Sequence, residues 1–99
     1  MREMLTFSSD DDLERTQRIV ETITGTSLAY HDSSYRGGDY LLGHSDFDGE
    51  IIVQRNEDLE ERAVEEDAPT VVYIGPTSRA EELIDRLQLA QLKLVERKS

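Results

Sequence analysis

Apolar residues run almost unbroken through residues 70–74, TVVYI, which predicts a strand buried on both faces and therefore central in its sheet. Residues 50–55, EIIVQR, are rich in β-branched side chains and read as a second strand. Shorter strands are expected at residues 4–7, at 26–31 with Leu28 and Tyr30 on one face, and at 40–44. From Leu92 onward, Leu92, Leu94 and Glu96 alternate with Lys93, Val95 and Arg97, the pattern of a charged edge strand. Two stretches have helical spacing instead. Leu13, Ile19, Val20 and Ile23 form one apolar stripe, and Ala80, Leu83, Ile84 and Leu87 form another.

The residues between these runs punctuate them. Ser9 and the aspartates 10–12 can cap a helix start, and Gly25 can end that helix in a left-handed conformation. Ser78 and Glu81 have the spacing of a capping box for the second helix. Residues 45–49, SDFDG, read as a turn, Gly75-Pro76-Thr77 as the end of the TVVYI strand, and Pro69 as the end of a loop. The order β-α-β-β-β-β-α-β results. It predicts an α+β domain, a mostly antiparallel sheet of four to six strands with two helices packed on one face.

Composition narrows the function. The 99 residues suit one domain. No cysteine is present, which excludes disulfides, thiolate metal sites and a cysteine nucleophile. No apolar run reaches the roughly 18 residues of a membrane helix. The start, MREMLTFSSDDD, lacks the apolar core of a signal peptide, so a cytoplasmic location is expected. The formal net charge is -11, from 22 Asp and Glu against 11 Lys and Arg. Such a chain repels phosphate backbones and anionic membranes, and it attracts a basic protein. The plainer reading of the same charge is solubility or adaptation to high salt.

Candidate chemistry clusters in SSYRGGDYLLG, residues 33–43. Its glycine pair and Arg36 suit an anion cradle, but the segment has neither the P-loop nor the dinucleotide spacing. A turn with Tyr35 and Tyr40 packing across strands is the simpler reading, with Tyr35, Asp39 and Tyr40 available to a partner. His31 and His44 flank this turn, with Asp39 between them, and pairing of their strands is expected to bring the two histidines near each other. They have no tight metal-ligand spacing, so exposed strand-end histidines are expected, with no metal, cofactor or catalytic residue. Aligning Gly49 with the invariant glycine of a calcium loop puts His44 and Arg55 at ligand positions that need oxygens. Glu50 and Gln54 with Asp39 lack the lysine of a metal-dependent nuclease site.

Residues 56–68, NEDLEERAVEEDA, hold seven acidic positions and one basic one, so this segment belongs outside the core. Glu57, Asp58, Glu60 and Glu61 are its candidate contacts to a basic partner.

Ser34-Tyr35-Arg36-Gly37-Gly38-Asp39-Tyr40, followed by Glu50-Ile51-Ile52-Val53-Gln54-Arg55-Asn56, resembles a group of small uncharacterised bacterial proteins with a Tyr-x-Gly-Gly-Asp-Tyr segment. That resemblance implies a bacterial origin and no activity. In size, acidity and element pattern the chain is also similar to immunity proteins of bacterial toxin systems, including contact-dependent growth inhibition. This second likeness implies a protein that binds and occludes a basic toxin domain, often a nuclease. A monomer or homodimer is expected, and a homodimer with matching acidic faces would favour a regulatory module instead. The alternatives are a small regulatory or stress-related module, or a metal-dependent enzyme using His31, His44 and Asp39.

Overall fold

The computed structural model describes residues 2–33, 38–56 and 68–99, the side chains of residues 33, 38 and 39 excepted. The elements are β1 (Glu3–Ser9), α1 (Leu13–Thr24), β2 (Ala29–Ser33), β3 (Gly38–Ser45), β4 (Gly49–Arg55), β5 (Thr70–Thr77), α2 (Ala80–Leu89) and β6 (Lys93–Lys98). They form one six-stranded sheet of order β2-β3-β4-β5-β1-β6, in which every neighbouring pair is antiparallel. The α+β class and the order of elements are those the hydrophobic pattern predicts.

Why the chain takes this shape follows from its ladder. Leu41, Val53, Val72 and Phe7 lie opposite one another across four strands. Ile51, Ile74 and Leu5 form the next row on the same face. Both rows join Val20 of α1 and Leu83, Ile84 and Leu87 of α2 in a single core. The two helices therefore cover one face of the sheet. β5 sits inside the sheet as the TVVYI run demands, and Val71, Val72 and Ile74 are fully buried. β6 is an edge strand, also as expected.

Local chemistry sets the helix ends. Of the three aspartates, Asp12 is the cap, and its Oδ1 accepts from the Arg15 N–H at 2.8 Å. Gly25, at φ 71°, closes α1 by donating its N–H to Glu21 O. The expected capping box at α2 does not form. Arg79 is the N-cap, with no side-chain capping bond. The Arg79 N–H donates to Thr77 Oγ1 at 3.1 Å, a local turn bond just ahead of the helix.

Two strand boundaries also differ. β2 begins at Ala29 because residues 26–28 cross over Gly43 of β3, where a Cβ would meet Ser27 O at 2.9 Å. Glu21 Oε2 holds that crossing by accepting from the Leu28 N–H at 2.7 Å. β5 does not stop at Gly75. It continues to Thr77 past an irregularity where Gly49 and Glu50 both face Gly75. A Cβ on Gly49, which has φ +64°, would meet Gly75 O at 2.6 Å, so glycine at this position lets the strands stay paired. No helix among the described residues is long and apolar enough to cross a membrane.

Candidate functional site

The antiparallel register sorts the loops into two ends of the molecule. At one end lie the close of β1, the N-terminus of α1, the end of β2, the start of β3, the end of β4 and the start of β5. The pairs Ser9↔Thr70, Arg55↔Thr70, Tyr40↔Gln54 and Asp32↔Asp39 fix this arrangement. Thr70 Oγ1 donates to Asp11 O at 2.7 Å and ties the aspartate run to β5. Ser9 Oγ and Thr16 Oγ1, both buried, share a 2.8 Å hydrogen bond beneath it.

Asn56 closes the base of the acidic segment at the same end. Its backbone N–H donates to Pro69 O and its side-chain Nδ2 donates to Ala68 O, both at 2.9 Å. Asn56 is 1% exposed, so these bonds are shielded from water. The roots of segment 57–67 therefore stand beside Asp10, Asp11, Asp12 and Glu14. Of these four, Asp11 is paired, by Arg15 at 3.4 Å, on the surface where such pairs are worth little. Asp32, exposed on β2, lies toward the same end.

Beside this end, a groove of about 310 Å³ runs between α1 and the sheet, lined by Asp12, Leu13, Glu14, Gln17, Tyr30, Leu41 and Arg55. It adjoins a smaller one of about 200 Å³ that reaches Pro69 and Thr70. Tyr30 is 61% exposed, although it shares a ladder row with the core residues Leu41, Val53 and Val72. The sheet extends past the cover of α1 at this edge.

The sequence-predicted partner residues fall as follows. Tyr40 is half-buried on β3, directly opposite His31, and the two rings stack with centroids 5.4 Å apart. Position 39 lies opposite Asp32 in the ladder. Tyr35, Glu57, Asp58, Glu60 and Glu61 lie outside the described residues, as does the side chain of Asp39. The histidines do not come together as expected. His31 pairs with Tyr40 and His44 with Glu50, four residues along β3, a separation of about 13 Å at ~3.3 Å per residue. Among the described residues no group of three metal-ligating side chains gathers.

The opposite end holds a feature absent from the sequence reading. Asp48, in the β3–β4 turn, is fully buried and receives Arg79 Nε on Oδ1 at 2.8 Å and Arg79 Nη2 on Oδ2 at 2.6 Å. Thr77 Oγ1 also donates to Asp48 Oδ1, at 2.9 Å. Arg79 Nη2 donates further to Thr24 O at the end of α1, and Nη1 to Glu82. Burial alone would raise the Asp48 carboxyl. The bonds from Arg79 and Thr77, with the Arg79 charge, outweigh it and hold the pKa below the ordinary value. Those same contacts raise Arg79. The Asp48 carboxylate is fully enclosed by these bonds, so this is a clamp between turn, strand and both helices. No local signal could have revealed it, because the partners are 31 residues apart.

Comparison with protein-family models, with curated proteins and with solved structures finds no match for this chain.

Proposed function

We propose that this chain is a cytoplasmic binding protein of the immunity type, which neutralises a basic bacterial toxin domain by covering it. The observation that carries the reading is the collection of acidic groups at one end of the fold. Asp10, Asp11, Asp12 and Glu14 at the start of α1, Asp32 on β2 and the roots of the acidic segment are far apart in sequence and adjacent in the folded chain. Seven of the 22 acidic residues stand in segment 57–67 itself. Acidic groups gathered in this way attract a basic partner and speed encounter. Buried aromatic contacts then supply the strength that exposed charges lack, and Tyr35 and Tyr40 are the aromatic candidates. Glu57, Asp58, Glu60, Glu61 and Asp39 are the acidic ones.

The test is co-expression with the neighbouring reading frame in the native host, followed by capture on the tagged chain. A basic domain retained at low salt, with affinity falling steeply as salt rises, supports the reading. Capture of no basic protein, or an affinity indifferent to salt, overturns it.

A further inference from the structure

The two edges of the sheet are built differently. β6 carries Lys93, Arg97 and Lys98, charges that discourage another strand from adding to it. β2, AYHDS, has no lysine, arginine or proline, and its residues 29–32 are all exposed. Among the described residues no strand pairs with its outer side. An unprotected edge offers a row of backbone donors and acceptors, the template used when an extended segment adds to a sheet.

The groove between α1 and the sheet opens along this same strand through Tyr30. At about 310 Å³ it lies at the bottom of the range for small-molecule sites, about 300–1,000 Å³, and suits a side chain better than a cofactor. Leu13 and Leu41 provide apolar walls for an aliphatic stem. Tyr30 adds an aromatic ring to the lining and Asp12 and Glu14 add carboxylates, groups that suit a lysine or arginine head group. Arg55 also lines the groove, and both Arg55 and Tyr30 already have partners of their own.

We infer that the outer edge of β2 is a docking strand for an extended basic segment of a protein partner, which places one lysine or arginine in the Leu13–Tyr30–Leu41 groove. The occupant is assigned by charge: Asp12, Glu14 and Asp32 flank the edge and groove. The inference rests on the reading of the chain as the partner of a basic protein, and it adds the surface and the shape of what binds there.

The probe is a six-residue peptide of alternating lysine and valine, titrated into the isotope-labelled full chain and followed by amide chemical shifts. Shifts confined to residues 29–32 and 12–17 are expected. Ala29→Lys, which charges the edge, and Glu14→Lys, which reverses a charge of the groove, should each weaken the peptide at least tenfold while leaving the far-ultraviolet circular dichroism unchanged. A peptide alternating lysine and proline keeps the charge but cannot pair as a strand, and it should lose the shifts at β2. Equal binding of the proline peptide, shifts elsewhere on the chain, or no binding at millimolar peptide overturns the inference. A basic partner captured equally well by wild type, A29K and E14K overturns the docking strand and leaves the proposed function standing. Peptide binding at β2 with no basic partner captured does the reverse.

Discussion

Arg79 meets the fully buried carboxylate of Asp48 with two parallel hydrogen bonds, at 2.8 and 2.6 Å, and with the same guanidinium reaches Thr24 O at the end of α1. This joins the β3–β4 turn, the end of β5 and the two helices at one point. Removing the cation leaves an uncompensated charge in the interior, which costs far more than the intact pair contributes. Arg79→Ala should destabilise the fold by about 3–5 kcal/mol. Arg79→Lys should recover only part of that, because an ammonium cannot make the forked contact. Urea denaturation of the three proteins measures both effects.

The same pair makes stability fall in acid. The folded-state pKa of Asp48 is depressed below the ordinary aspartate value of 3.8, so its contribution is complete above that value. It is lost as the pH drops through the lower, folded-state pKa. The stability difference between wild type and Asp48→Asn should therefore be constant from neutral pH down to about 5 and shrink below about 4. Thermal melts across that range, at fixed ionic strength, report it.

Asn56 should matter to the acidic end out of proportion to its size. Asn56→Ala removes the bond to Ala68 O inside a water-shielded base. A loss of about 1–3 kcal/mol is expected from the unsatisfied buried acceptor. Asn56→Asp should be worse, since a carboxylate accepts where Nδ2 now donates. Equilibrium denaturation ranks the two.

Gly49 is a backbone requirement. With φ at +64° and a Cβ that would approach Gly75 O to 2.6 Å, Gly49→Ala combines strain with a backbone clash. It should cost about 1–3 kcal/mol or more. Gly25→Ala has the same sign of φ but open space around the Cβ, and it should cost less. The contrast separates conformational strain from crowding.

Much of the architecture was legible in the chain. TVVYI announced an interior strand because only burial on both faces tolerates such a run, and Val71 beside Val72 confirms it. The stripes of α1 and α2 named Val20, Leu83, Ile84 and Leu87, all of them in the core. Gly75-Pro76 misled because such a pair normally ends a strand, whereas here β5 runs on past it and pairs with β1, Thr77 opposite Glu3. Ser78 misled because the helix starts one residue later than its spacing to Glu81 requires, with Arg79 at the N-cap and no side-chain capping bond.

Sequence by itself determined what depends on neighbours along the chain: the periodicity of each element, a helix start in the run from Ser9 to Asp12, the Gly25 stop and the sign of the net charge. Tertiary structure decided what depends on register. It separated His31 from His44, because antiparallel pairing sets Tyr40 and Glu50 opposite them. It brought Asp48 to Arg79, and it set the aspartates 10–12 beside the base of a segment more than forty residues away. Strand order carries no local signature: a two-residue alternation fixes which face a side chain takes, and only the packed sheet fixes which strand lies beside it.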